Sequence, residues 1–337
     1  MAFDPNAAAL PDSGVFGLPF SPDDAKVVLI PVPFEATTSY GGGTADGPKA
    51  ILEASKQVDL FDLETGKPYE AGIAMLDESA EVRAWNDEGK AVAKPIIESG
   101  GLEAEAKALG RVNELSEKMN GYVYETTKAW LAKRKIVGVV GGDHSTPFGA
   151  IKAYAEVYPK LGVLHLDAHA DLRRAYEGFT WSHASIMYNV IERLPNVTKL
   201  VQVGIRDFGE AEYDVILANE NRIHTFFDAR LAHARLDGMP WRELVDQIVQ
   251  HLPQHVYLSW DIDGLDPVLC PSTGTPVPGG LSFHQATALL EGVVRAGKTI
   301  VGFDLNEVAP DPDGGEWDGN VAARLLYKMI GWTLKSR

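Results

Sequence analysis

Gly162-Val-Leu-His-Leu-Asp167-Ala-His169-Ala-Asp171 is an apolar run that breaks into alternating acid, alanine and imidazole. The apolar part is too short for an isolated helix and too oily for a solvated loop, as strands buried on both faces of a parallel sheet are. In extended chain, residues i, i+2 and i+4 face the same way. Asp167, His169 and Asp171 therefore project from one face, with only alanine between them. The same construction recurs on either side. Residues 136–140 run into Gly-Gly-Asp143-His144-Ser145, and residues 256–260 run into Asp261-Ile-Asp263-Gly-Leu-Asp266-Pro267.

Further short apolar runs lie at 26–30, 199–203 and 299–303, and helical patterns separate them. In residues 111–134, Val112, Leu115, Met119, Tyr122 and Trp130 recur near helical spacing against a charged face. Ser282 with Gln285 reads as a capping box opening a helix over 286–296, and Asn320 as the cap of a last helix. Such alternation predicts an α/β fold, a parallel sheet with helices on both faces. Polar residues just past strand ends fall where open parallel sheets bind ligands. Residues 1–25, rich in Pro, Asp and small side chains, read as a loose arm, and 26–337 as one domain without repeats or linkers.

Composition removes several classes of function. A formal net charge of −16 over 337 residues argues against a nucleic-acid partner, which needs a clustered basic surface. It suits a cationic substrate. Cys270 is the only cysteine, which excludes an intrachain disulfide and a thiolate cluster. No stretch approaches the roughly 20 apolar residues of a membrane span, so no membrane partner is expected. The opening residues lack a basic leader and an apolar run, so a cytoplasmic address is expected.

Carboxylates converging from three strands without counterions would cost several kcal/mol in desolvation and repulsion. Two divalent cations, with two Asp residues bridging them, remove that cost. Taken alone, Asp261-Ile-Asp263-Gly also suits a calcium loop or an ordinary turn, yet no loop of about 12 residues closing on a bidentate Glu follows it. His144 alone also suits a loop histidine satisfied by backbone. Carboxylates plus two imidazoles, without sulfur, suit Mn2+ best, with Ni2+, Co2+, Zn2+ or Fe2+ as alternatives.

In the order and content of these motifs the chain resembles the ureohydrolases: arginases, agmatinases and their guanidino-acid relatives. The resemblance runs from about Ile30 to the C-terminal helix. It includes Pro31-Val-Pro-Phe-Glu35, Thr38-Ser-Tyr-Gly-Gly-Gly43 and Gly47-Pro-Lys-Ala-Ile51, similar to the family's glycine-rich substrate-side loop, and Gly204-Ile-Arg206. It implies a three-layer α/β/α sandwich around a mainly parallel eight-stranded sheet. It implies one metal held by His144, Asp167, Asp171 and Asp261, and a second held by His169, Asp167, Asp261 and Asp263. It also implies His183 as a proton shuttle, Glu307 as the acid gripping the substrate's cationic head, Asp171 as a ligand that also steers the nucleophile, and a homotrimer or homohexamer. His165 reads as a packed core histidine; His224, His233, His251, His255 and His284 have no supporting spacing.

The implied reaction hydrolyses the guanidino C–N bond of a linear guanidino compound to urea and an amine. Arginases carry Ser-Gly-Asn between the Asp-x-His-x-Asp segment and the shuttle histidine. Here that stretch is Leu172-Arg-Arg-Ala-Tyr-Glu-Gly-Phe-Thr-Trp-Ser-His183, which resembles the agmatinase version. Agmatine ranks first. Guanidinobutyrate, guanidinopropionate and free guanidine follow, then arginine; a formimidoylglutamase generally lacks a counterpart of His183. In this reading Tyr176, Phe179 and Trp181 line an apolar channel, and Glu177, Arg173 or Arg174 meets the substrate's far end. A metal-dependent binding protein without turnover is the alternative of a different class, disfavoured by the intact residue set.

Overall fold

In the computed structural model, residues 3–10, 12–102 and 105–337 are described, so Met1, Ala2 and Pro11 of the expected arm lie outside the described residues. Eight strands form one sheet: β1 (Val27–Val32), β2 (Ile73–Met75), β3 (Ile136–Gly141), β4 (Leu161–Leu166), β5 (Val197–Ile205), β6 (Ile223–Phe227), β7 (His255–Asp261) and β8 (Thr299–Asn306). Their order is β2-β1-β3-β8-β7-β4-β5-β6, and every pairing is parallel.

Alternation within each strand sends side chains to two separate cores. Val140, Leu164 and Leu258 pack with Ile51, Val245, Leu289 and Leu325. Those partners belong to α1 (Gly47–Ser55), α8 (Trp241–Val249), α9 (Phe283–Arg295) and α10 (Trp317–Lys335). Val139, Val163 and Tyr257 pack on the opposite face with Val123, Ile151 and Val190. These come from α3 (Ala106–Ala132), α4 (Phe148–Val157) and α5 (Ile186–Arg193). The three-layer α/β/α expectation holds. The other helices are α2 (Ala80–Glu98), α6 (Glu210–Ala218) and α7 (Asp228–Leu236). Among the described residues no helix is long and apolar enough to cross a membrane.

The sheet order places the chemistry. β3 and β4 are consecutive in the chain but separated in the sheet by β8 and β7. Leu166 pairs with Trp260, and Asp261 with Asn306, so these strands end level and their following loops meet over the middle of the sheet.

The six apolar runs all form strands, and Ser282 and Gln285 make a reciprocal capping box. β2 and β6 complete the eight strands that the resemblance implies; one has only three residues and the other carries His224 and Thr225. Two expectations are corrected. The last helix starts earlier, behind Glu316, and Asn320 lies inside it, accepting from Arg324 Nη1 at 2.7 Å. The expected loose arm includes Val15, Phe16 and Leu18, all buried, with Phe16 packed 4.9 Å from Tyr327 and its N–H donating to Ser55 Oγ.

Candidate metal centre

Each of the six carboxylates and imidazoles that the resemblance names as ligands sits at or just beyond one of three strand ends in the middle of the sheet. His144 follows β3, Asp167, His169 and Asp171 follow β4, Asp261 ends β7, and Asp263 lies in a single 3-10 turn, Ile262–Gly264. Asp261 caps that turn by accepting from the Asp263 N–H at 2.8 Å. Arg206 clamps it from outside, donating through Nη2 to the Asp263 carbonyl at 2.6 Å and to the Val277 carbonyl at 3.0 Å. Gly264 is required by close approach: a Cβ there would stand 2.7 Å from the Asp167 nitrogen.

The side chains form two groups that share one carboxylate. His144 Nδ1 lies 3.0 Å from Asp167 Oδ2, 3.4 Å from Asp261 Oδ2 and 3.5 Å from Asp171 Oδ2. His169 Nδ1 lies 3.0 Å from Asp263 Oδ2 and 3.5 Å from Asp167 Oδ1. Asp167 thus turns one oxygen to each imidazole. Asp171 takes a left-handed backbone (φ 53°), an uncommon conformation for a residue with a side chain, and its carbonyl accepts from the Tyr188 N–H.

This donor set fits divalent cations. Burial, then the charge of Asp167, pushes the Asp171 carboxyl well above its ordinary range; burial, then Asp263, does the same for Asp261. Burial would also raise Asp167, but His165, His144 and His169 draw it well below. Asp263 Oδ2 is buried and makes no hydrogen bond, although His169 Nδ1 is 3.0 Å away. A buried carboxylate oxygen without a donor keeps its lone pairs for a cation.

Two further predicted residues flank the groups. Glu307 is buried with φ 63°, and its Oε1 accepts from the His144 N–H at 2.8 Å. Burial, then Asp261 and Asp143, raises its carboxyl well above the ordinary range. A Cβ on Gly274 would stand 3.7 Å from Glu307 Oε2, and one on Gly41 only 2.7 Å from the Gly274 carbonyl. The glycine-rich loop at 38–43 therefore folds over the Glu307 side of the cluster. Glu35 holds that loop, accepting from the N–H groups of Gly43 and Thr44. His183 opens a short turn, His183–Ser185, with its ring 6.0 Å from that of Tyr176. Burial, then the charge of His169, pushes its imidazole down to about 4.

The structure corrects two readings of the loop between Asp171 and His183, those of Phe179 and Trp181. Phe179 is fully buried against Ala93, Ile96 and Val112 of the α2–α3 pair. Trp181 packs edge-on to Phe148 at 4.9 Å, with Arg193 over its ring and its Nε1–H on Glu117. These two aromatics anchor the loop to the helices, and of the three aromatics Tyr176 is the one beside His183. Glu177 rests its backbone on Gly101 in the α2–α3 turn. Arg173, exposed like Arg174, lies near His183: it stacks 5.0 Å over Tyr176 and reaches Glu212 Oε2 at 3.5 Å.

Sequence reasoning missed a supporting layer. His144 Nε2 lies 2.9 Å from Ser259 Oγ, and that hydroxyl donates to Asp304 Oδ1 at 3.0 Å. A hydroxyl whose proton is spent on a carboxylate accepts from Nε2–H, which leaves the Nδ1 lone pair facing the cluster. The signal is present as i, i+2 polar pairs inside apolar strands, Ser259 with Asp261 and Asp304 with Asn306. The reading of His165 as a packed core histidine holds in part: it is fully buried, but its Nε2 lies 2.8 Å from Asp167 Oδ2. Among the described residues, His224 and His251 stack on each other at 4.1 Å on the β6 side and take no part in the cluster.

Comparison with known proteins adds an independent finding. Residues 25–331 match the arginase family. An N(1)-aminopropylagmatine ureohydrolase of Thermus thermophilus is 36% identical over 321 residues, covering 94% of each chain. The agmatinase of Cronobacter sakazakii is 32% identical over 309 residues, covering 91% of this chain and 87% of its own. Proclavaminate amidino hydrolase from Streptomyces clavuligerus shares the fold with a TM-score of 0.73, at 24% identity over 98% of this chain and all of its own.

Proposed function

Because the chain belongs to the arginase family and is an agmatinase-like ureohydrolase, a hydrolase acting on C–N bonds, we propose that it uses two divalent ions to cleave the guanidino group of agmatine or a close linear analogue to urea and an amine. The observation that carries this reading is the position of Asp167, with one oxygen toward each of two imidazole–carboxylate groups. His144, Asp167, Asp171 and Asp261 would hold the first ion, and His169, Asp167, Asp261 and Asp263 the second. Hard carboxylates with two imidazoles favour manganese, ahead of nickel, cobalt, zinc or iron. When bound, such a pair supplies Lewis acidity and makes hydroxide available near neutral pH.

The chain's own residues supply the rest. Glu307, buried and fixed by the His144 N–H, needs an opposite charge; a guanidinium provides it and is thereby oriented and polarised. Asp171 has a second oxygen to steer the attacking water. His183 beside the cluster is neutral near pH 7, so it would take up the proton released by the attacking water and hand it to the leaving nitrogen as the C–N bond breaks.

The names of the relatives and the lack of a Ser-Gly-Asn segment support a substrate without an amino-acid head. Arg173 beside Tyr176 and His183 favours one second reading, a guanidino carboxylate. Urea release from agmatine, guanidinobutyrate, guanidinopropionate, guanidine and arginine tests both readings, alongside elemental analysis for two ions per chain. Agmatine should show the highest kcat/KM, and Arg173→Ala should spare or improve it. A collapse of guanidinobutyrate hydrolysis in Arg173→Ala, with agmatine poor throughout, would select the second reading. Arginine ranking first would overturn both. Assembly as a homotrimer or homohexamer is part of the proposal, and light scattering against the 36.6 kDa chain mass checks it.

A further inference from the structure

The cluster contains a third imidazole, and its hydrogen bonds say what it does. His165 lies within β4, with Nε2 2.8 Å from Asp167 Oδ2 and within ligating distance of the His144 group. On position alone it is a candidate metal ligand. Its other ring nitrogen decides otherwise. Nδ1 lies 3.0 Å from Gln202 Nε2, on the neighbouring strand β5. That same Gln202 nitrogen lies 2.7 Å from the carbonyl oxygen of Ala170. A backbone carbonyl only accepts, so the amide group facing it is the NH2. On its far side Gln202 Oε1 accepts from Thr225 Oγ1 at 2.9 Å, on β6, in agreement with that orientation.

Both amide protons are therefore directed, one to Ala170 and one to His165 Nδ1. A proton on Nδ1 would meet a donor, which excludes the Nδ1–H tautomer and equally the doubly protonated ring. The single ring proton resides on Nε2 and points at Asp167. We propose that Gln202 is a positioning residue: it sets the tautomer of His165, so that His165 is a fixed donor to Asp167 and not a metal ligand. The inference rests on the reading of Asp167 as a bridging ligand.

Two consequences follow for the centre. Asp167 is shared between two groups only while it keeps one rotation, and a donor on Oδ2 resists any other. Ala170 separates His169 from Asp171, so the second Gln202 proton fixes the backbone between two ligand candidates. One amide thus bears on Asp167 through His165, and on His169 and Asp171 through the carbonyl between them. Partners of this kind typically alter metal affinity about 10–100-fold when removed.

The first step of the test is made on the wild-type protein, with a variant only for assignment. Histidine 15N–1H correlation spectra, metal-free and zinc-loaded, should show His165 with Nε2 protonated and Nδ1 bare; His165→Gln identifies the signal by its loss. An Nδ1–H or doubly protonated ring, or Nε2 shifting to a metal-bound position on zinc loading, overturns the proposal. The second step is Gln202→Glu, which replaces the donor with an acceptor. It should move the proton to Nδ1 or charge the ring, and manganese affinity by chelator competition should fall at least about tenfold. Thr225→Val, which keeps the amide in place through Ala170, should lose less than Gln202→Glu. Unchanged affinity in Gln202→Glu with a wild-type circular dichroism spectrum also overturns it. A wild-type protein that binds no metal refutes the metal-centre reading instead, which keeps the two failures apart.

Discussion

Ser259 decides which nitrogen of His144 faces the carboxylates, because its hydroxyl proton is taken by Asp304. Ser259→Ala should leave the fold intact and lower metal affinity by about 10–100-fold, read by chelator competition; unchanged affinity would remove Ser259 from the centre's support. The carboxyls give a second test at this scale. Asp171 and Asp261 have native values raised above their unfolded ones when no metal compensates them. A carboxyl raised in this way stabilises the metal-free fold at low pH and ceases to do so as pH rises through its native value. In chelated protein, Asp171→Asn should therefore melt higher than wild type at pH 8, with the gap closing toward pH 5. A gap independent of pH would contradict the electrostatic account. Asp167, His169, Asp171, Asp261 and Asp263 were legible in the sequence because packing alone gives no reason for acids and imidazoles to alternate past an apolar run. Gln202, Ser259 and Asp304 were not, because a lone polar residue in a strand acquires a partner only when the sheet order brings one beside it.

At the scale of elements, the loop from Asp171 to His183 behaves as a strap pinned at both aromatics. Phe179 fills a small satellite core between α2 and α3, and Trp181 rests on α4 through Phe148. Phe179→Ala should cost about 3 kcal/mol of stability or less, since the loop can settle into part of the void. It should also cut kcat by loosening His183, while metal content stays at wild-type level. Wild-type kcat with a lowered Tm would show that the strap supports only the fold. Aromatic residues in a loop can face a pocket or a helix pair, and local sequence does not distinguish the two; here the helices take them. Period and capping, by contrast, carried the longer elements: the six apolar runs became strands and the Ser282–Gln285 box opens α9. The short β2 and the polar β6 lie at the two edges of the sheet, where fewer apolar contacts are needed, and so they left little pattern to read.

Across the whole molecule, the candidate ligands come from β3, β7 and β4, while β8, between β3 and β7, runs into Glu307. Residues from 144 to 263 are thus drawn together at one end of four adjacent strands, although the chain between them winds through five helices and two further strands. Ions held there would tie the middle of the sheet together and leave its margins to local forces. Opening motions should then be graded across the sheet rather than uniform. In hydrogen–deuterium exchange, chelation should speed amide exchange at the carboxyl ends of β3, β8, β7 and β4, while β2 and β6 keep their metal-loaded rates. Equal acceleration everywhere would mean that the ions govern only global unfolding. With the graded outcome, the metal sets the breathing of the central strands, and the timescale on which the site opens becomes a property of the ion as much as of the chain.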